Sequence, residues 1–225
     1  ESKRVFRILS LGTSAFIMSV TNSLVQIVCN STLKHWGGDL YVGVMTIVTS
    51  LHEVIQMPII GCTRAAEPVL SYNYGANENQ RVKQGIKFVT IICVCYSIAI
   101  CILILLLPKF FVYIFNDDPQ LITHASPAIR MYFSCYFAMS LQMAGQTAFV
   151  ALGKSRQAIF FSLLRKAIIV VPLTILLPGL FGMGTYGVFW AEPISCVLGG
   201  SACYITMYFT IWSKLKSPEL KASGN

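Results

Sequence analysis

The sequence predicts an all-α integral membrane protein with six transmembrane helices. Hydrophobic residues fill 55% of the 225 positions, charged residues fill only 12%, and the mean hydropathy is +0.66. A soluble domain carries about 25% charged residues, so this chain is too apolar for water. The run from Phe88 to Leu107, which contains no Asp, Glu, Lys, Arg or His, also has the length of roughly 20 residues that crosses the hydrocarbon layer of a bilayer.

Hydropathy places the six helices, in chain order, at residues 8–33, 40–66, 88–107, 129–152, 159–181 and 185–212. The segments between them contain HWGGD, NYGANENQ, NDDP, ALGKSRQ and FGMG, which have the composition of turns. The fifth span is unusual because it contains Pro172 and Pro178. A proline-interrupted span is one indication of a transporter site, and a kinked packing helix is the alternative.

The positive charges predict the orientation. Fourteen of the seventeen Lys and Arg residues fall on one side of the predicted membrane, leaving Lys34, Lys109 and Arg130 on the other. The positive-inside rule then puts both termini in the cytoplasm. This count includes Arg165 and Lys166, whose side chains are expected to reach the cytoplasmic interface or water. The net charge of +8 is spread over short segments without a nucleic-acid motif, so membrane lipid and not nucleic acid is the expected partner.

Glu53 is the first candidate functional residue. It lies thirteen residues after Leu40, about 20 Å along a helix and hence near the middle of the membrane. An ionised carboxylate there costs at least about 2.5–3.5 kcal/mol, so it must face protein or water. Polar residues recur around it at helical spacing, and Pro58 cannot donate to the carbonyl of Val54. These features predict a proton or small-cation site, with a structural glutamate as the alternative.

His52 and Glu192 are the other candidates for coupling to a proton or cation. His52 is rotated by about 100° from Glu53 on a helix, so it is either a proton partner or a packing histidine. Glu192 lies in the tripeptide AEP, which also occurs around Glu67. For Glu67, an ion pair with Arg64, three residues earlier, is the expected role. For Glu192, structural and functional roles both remain open.

Two further helices carry polar faces that predict a substrate-binding surface. The first helix has Asn22 and Gln26 on one side, and the fourth has Tyr136, Met139, Gln142 and Gln146. Aromatic faces attract cations, and methionine adapts to irregular apolar molecules. These six residues, together with Gln56 of the second helix, are the predicted substrate-binding set. Interhelical packing explains each residue singly, but the convergence of three faces favours a cavity.

The sequence contains no P-loop, HExxH or GxSxG motif, so we expect neither enzymatic activity nor a cofactor. All eight cysteines fall in apolar segments without CxxC spacing. Buried small apolar side chains are their expected role, and no metal site is predicted.

Three stretches carry a resemblance to a known family. They are HEVIQMPIIGCTRAAEPVLSYNYGANENQRV, GQTAFVALGKSRQAIFFSLLRKAIIVVPLTILLP and GVFWAEPISCVLGGSACYITMYF, which together cover most of residues 51–209. They resemble multidrug and toxic compound extrusion (MATE) transporters, and Firmicutes-like bacterial members in particular. The resemblance implies that residues 1–225 form the C-terminal lobe of a twelve-helix protein whose N-terminal lobe completes a V-shaped cavity.

The resemblance also implies a function. Members of this family extrude organic cations and other drugs across the plasma membrane by alternating access, in exchange for protons or sodium ions. Two departures from the family pattern stand out: Glu67 replaces a usual glutamine, and the first helix lacks the acid that some branches place there. The alternatives are a flippase for lipid-linked precursors, which would need basic residues in its cavity, and a non-transporting membrane scaffold, which would have no hydrated cavity.

Overall fold

The structure, a computed structural model, consists of α-helices joined by short turns, and it confirms the all-α membrane fold. It describes the backbone of residues 2–215 and the side chains of residues 20–180 and 182–215. Helix α1 spans Ser2–Gly75 and changes direction at Gly38, whose φ is 70°. A side chain would be strained at this backbone conformation, which glycine adopts freely. The two arms of α1, residues 2–37 and 39–75, contain the first two predicted spans.

The next four helices are α2 (Asn79–Leu106), α3 (Pro108–Tyr113), α4 (Pro119–Phe133) and α5 (Tyr136–Ala151). Hydropathy predicted a single helix over residues 129–152, but the structure divides this region between α4 and α5. The interruption lies at residues 134–135, where the Ser134 hydroxyl donates to the carbonyl of Met131 at 2.8 Å. Such local bonds compete with helix continuation, and no glycine or proline marks the break.

The last part of the chain contains α6 (Ser155–Leu163), a π-helix (Leu164–Val170), α7 (Val171–Gly179) and α8 (Thr185–Thr210). Short 3₁₀ turns follow α7 at Leu180–Gly182 and α8 at Trp212–Lys214. The π-helix continues from α6 into α7, so the three form one helical segment. Pro172 lies just after the junction of the π-helix and α7, where it lacks the N–H that would continue the helical hydrogen bonds. Wide π turns of this kind occur frequently at functional sites.

Within the described residues, four helical segments are long and apolar enough to cross a membrane: Val20–Gly75, Asn79–Leu106, Ser155–Gly179 and Thr185–Lys214. The first contains residues 20–37 of the first arm of α1 and the whole second arm. The 15 residues of α4 and the 16 of α5 are each too few to cross alone. Counting the two arms separately and α4–α5 as one segment gives six helices, so the chain is a multi-pass membrane protein.

Close contact between α5 and α8 fixes the interior of the bundle. Gly200 of α8 lies against the backbone of Ala138, and a Cβ at Gly145 of α5 would lie only 3.2 Å from the sulfur of Cys203. Small residues let helix backbones approach closely in membranes. This contact sets the rotation of α5, because it places the backbone of Gln142 3.8 Å from the Cys203 sulfur.

Candidate functional site

A cavity of about 670 Å³ lies between α1, α5, the α6–α7 segment and α8. Of the ten residues that the sequence proposed for coupling or substrate binding, nine line this cavity. They are Asn22, Gln26, His52, Glu53, Gln56, Met139, Gln142, Gln146 and Glu192. The structure therefore gathers side chains from three helices around one space, and their individual roles stay predictions.

Glu53 lies on the second arm of α1 and is exposed at the cavity wall. Among the residues that the structure describes, its carboxylate has no ion-pair partner. The carbonyl of Val54, adjacent in sequence, also lacks its usual helical donor because Pro58 has no N–H. An unpaired acid at this depth of a membrane protein is available to a cation that enters the cavity.

The hydroxyl groups near Glu53 are already engaged as donors inside the helix. Thr49 donates to the carbonyl of Met45 at 2.9 Å, and Thr63 donates to that of Ile59 at 2.9 Å. A hydroxyl that donates in this way keeps its acceptor lone pairs. These two hydroxyls therefore offer a ligand oxygen acceptors, which suit a cation.

His52 is buried beside the cavity and packs against aromatic rings. Its ring lies edge-on to Tyr132 and Tyr136, with centroids 5.8 Å apart in both pairs, and its Nε2 lies 3.4 Å from the sulfur of Met139. Of the two roles left open by the sequence, this geometry favours the packing histidine. Tyr136 lies behind His52, is 3% exposed and does not line the cavity. The structure thus does not place Tyr136 on the predicted substrate-binding surface.

Glu192 of α8 is paired inside the bundle. Its Oε1 accepts a hydrogen bond from Arg165 Nη1 at 2.6 Å and lies 3.7 Å from Lys166 Nζ. The expectation that Arg165 reaches the interface is wrong, because this side chain is only 5% exposed and points to Glu192. A buried acid attracts a buried cation at this depth, since removing either charge from water alone costs several kcal/mol.

Two local features allow Oε1 of Glu192 to lie close to two consecutive basic residues. Arg165 and Lys166 both lie in the π-helix, whose i→i+5 bonds widen the turn and change the direction of side chains relative to an α-helix. On the facing helix, Gly199 makes room for the stem of Arg165, since a Cβ there would come within 2.9 Å of its Cβ and Cγ. The approach of Arg165 to α8 therefore depends on the absence of a side chain at Gly199.

The amide side chains on the wall differ in what they offer a ligand. Gln146 donates to the carbonyl of Ala158 at 3.2 Å and so joins α5 to α6. Gln142 is 3% exposed, and its Oε1 has no hydrogen-bond partner among the described residues. Asn22 and Gln26 are exposed on the first arm of α1, and Gln56 is half-buried. The Oε1 of Gln142 can thus accept a hydrogen bond from a ligand, whereas the side chain of Gln146 mainly joins α5 to α6.

The sequence did not predict that basic side chains line the cavity. Arg64, Arg165 and Lys166 all line it, but sequence analysis assigned them to the topology signal. The sequence position of Arg165 and Lys166 could have indicated that they line the cavity, because both follow a largely apolar stretch that begins at Ile159. The expected ion pair between Arg64 and Glu67 is also absent from the described part of the chain, although both residues line the cavity.

The sequence and the fold match those of a known family. The family model MatE matches residues 14–176. The chain belongs to the MATE family. The multidrug export protein MepA of Staphylococcus aureus is 24% identical over 201 residues, which cover 89% of this chain and 44% of MepA. The FAD transporter of Shewanella oneidensis is 24% identical over 194 residues, covering 86% of this chain and 42% of that protein.

Solved structures agree with this MATE assignment. A MATE family transporter in an inward-facing conformation superposes with a TM-score of 0.87 over 100% of this chain and 50% of that chain, at 17% identity. The MATE multidrug transporter DinF-BH, solved in complex with a ligand, is 32% identical with a TM-score of 0.75, over 88% of this chain and 44% of that chain. The chain thus spans about half the length of the MATE proteins it matches.

Proposed function

We propose that this chain forms one lobe of an ion-coupled antiporter that exports organic cations and other drugs across the plasma membrane by alternating access. The observation that carries this proposal is Glu53, an unpaired carboxylate exposed on the wall of a cavity between membrane-length helices. The similarity of the chain to MepA, a multidrug export protein, and to an FAD transporter supports transport of small molecules. The N-terminal lobe of the same transporter is the proposed partner, and it closes the open side of the cavity.

Exchange follows from the single charge of Glu53. The carboxylate balances either a coupling ion, a proton or sodium, or the positive group of a substrate. Each occupant removes the attraction that would hold the other. If one occupant is released only when the cavity faces inward and the other only when it faces outward, the ion gradient drives export. The free Oε1 of Gln142 accepts a hydrogen bond from a substrate N–H, and Met139 provides apolar contact.

The orientation in this proposal comes from the charges. Both termini lie in the cytoplasm, since Lys and Arg concentrate on the side that contains the α1–α2 and α5–α6 turns. The reassignment of Arg64, Arg165 and Lys166 to the cavity removes three of the fourteen charges from this count, and the remaining eleven still outnumber the three on the other side.

The test is gradient-driven efflux by the full-length transporter in proteoliposomes. We expect Glu53→Gln to reduce efflux of a cationic dye by at least about tenfold, because a neutral amide holds neither the ion nor the cation. Glu78→Gln is the matched control, since Glu78 is exposed in the turn between α1 and α2. Full efflux by the Glu53→Gln protein would assign coupling to another residue.

A flippase for lipid-linked precursors is the second candidate. It needs basic residues in its cavity, and the structure places such residues there. The cavity contains the basic residues Arg64, Arg165 and Lys166, which a phosphate-bearing substrate requires. Against it, Glu192 already neutralises one of the three positive charges. Flipping of a lipid-linked phosphate in the same proteoliposomes, without dye efflux, would favour this candidate.

A scaffold is disfavoured by the cavity, and it predicts that cysteines placed beside Glu53 do not react with water-soluble reagents.

A further inference from the structure

The two walls of the cavity carry opposite net charges. The second arm of α1 contributes Glu53, Arg64 and Glu67, which sum to −1, and the facing helices contribute Arg165, Lys166 and Glu192, which sum to +1. On the α1 wall, Arg64 and Glu67 lie three to four helical turns from Glu53 and offset each other. On the opposite wall, one positive charge is left over.

Lys166 carries this excess charge. Arg165 makes the short hydrogen bond to Glu192 at 2.6 Å, whereas Lys166 Nζ stands 3.7 Å from the same oxygen. Hydrogen bonds from nitrogen to oxygen are 2.7–3.2 Å long, so Lys166 contributes attraction to Glu192 without occupying its own donors. Its side chain is 22% exposed, compared with 5% for Arg165, and it lines the cavity.

We infer that Lys166 is a second subsite, which binds an anionic group of the substrate while Glu53 binds the cationic group. This inference rests on the proposed function and specifies its substrate class as zwitterionic compounds that carry a carboxylate. An ammonium with three free donors binds such a group through charge-assisted hydrogen bonds. Arg165 remains bound to Glu192 and acts as a positioning residue, because it satisfies the acid that would otherwise compete with the substrate for Lys166.

The chemistry of the cavity supports this class over a simple anion. A pure anion would meet the negative charge of Glu53, whereas an organic cation pairs with Glu53 and leaves Lys166 without a counter-charge. A zwitterion places each of its charges against its opposite, so neither charge of the protein is left unpaired when water is displaced. Unpaired charges are expensive to bury, and a substrate that pairs both is favoured.

The experiment compares a rhodamine ester, which is a cation, with the free acid of the same dye, which is a zwitterion. The full-length transporter and its Lys166→Gln, Lys166→Arg and Lys87→Gln variants are assayed for dye binding by fluorescence anisotropy and for gradient-driven transport in proteoliposomes. Lys87 is the control because it is exposed on α2 and does not line the cavity. Thermal unfolding of each variant checks that Glu192, still bound to Arg165, preserves the fold.

We expect Lys166→Gln to weaken binding and transport of the free acid by about tenfold, the equivalent of 1.4 kcal/mol, while the ester is unchanged or improved. Lys166→Arg should retain the preference for the free acid, and Lys87→Gln should match the wild type. An equal loss for both dyes, or wild-type protein that does not bind the free acid, would overturn the subsite. If the wild type binds both dyes and transports neither, the proposed function fails, and the binding ratios alone decide the inference.

Discussion

The pair of Arg165 and Glu192 should behave as one energetic unit. The perturbation is Arg165→Gln, which leaves a carboxylate that is 8% exposed without its hydrogen-bond donor. Removing one partner of a buried pair costs about 3–5 kcal/mol. Lys166 stays within 3.7 Å of the acid and offsets part of this loss, so we expect a decrease of about 3 kcal/mol in the free energy of unfolding.

The assay is a double-mutant cycle on the full-length protein, unfolded by SDS in mixed micelles. Glu192→Gln alone should also destabilise, because it leaves two cations side by side. The double variant should lose little more than either single variant, which gives a coupling free energy of about 2 kcal/mol. The pair of Lys34 and Asp39 is the matched control: its side chains are 69% and 87% exposed at a distance of 3.3 Å, so its coupling should be below about 1 kcal/mol.

Additive losses at Arg165 and Glu192 would refute this reasoning. They would mean that the two side chains do not interact in the membrane-embedded protein. Glu192 would then be free to compete with Glu53 for the coupling ion, and the role of Lys166 as the cation in excess would also be lost.

Two other variants test the packing around the cavity. Gly199→Ala should destabilise by about 1–3 kcal/mol, because its Cβ would come within 2.9 Å of the Arg165 stem, whereas Gly61→Ala, with no atom within 4 Å of its Cβ, should be neutral or stabilising in the same unfolding assay. His52→Phe should keep dye efflux within about twofold of the wild type, because an aromatic ring of similar size preserves the contacts with Tyr132 and Tyr136. A large loss of efflux with normal folding would instead make His52 a proton carrier.

Much of the fold could be predicted because lipid imposes a simple rule on sequence. Long apolar runs must be helices, and HWGGD marked the change of direction that the structure places at Gly38. The division between α4 and α5 could not be predicted in the same way. It arises at residues 134–135, where serine and cysteine have no strong turn preference, and where a local hydroxyl bond to Met131 accompanies the break.

For the candidate site, the sequence predicts which residues share a face of each single helix. Helical periodicity assigns Glu53 and His52 to different faces of one helix, and the structure exposes the first and buries the second. Helical periodicity cannot assign the rotation of one helix relative to another, because that rotation depends on contacts such as that of Gly200 with Ala138. The partner of Glu192 is 27 residues away on another helix, and so only the three-dimensional structure could identify it.

The difference between Glu53 and Glu192, two of the three acids on the cavity wall, follows from where their cations lie. Glu192 faces two basic residues on the neighbouring helical segment, at 2.6 and 3.7 Å, and so its charge is held by the protein itself. Glu53 lies on a helix whose own cavity-lining cation, Arg64, is about three turns away along the same axis, too far for a direct pair, and no ion pair joins Glu53 to any other described residue. An acid whose charge the protein balances stabilises a fold, whereas an acid that must take its counter-charge from solution can exchange it. Of these two acids, we therefore propose Glu53 as the one that exchanges its counter-charge.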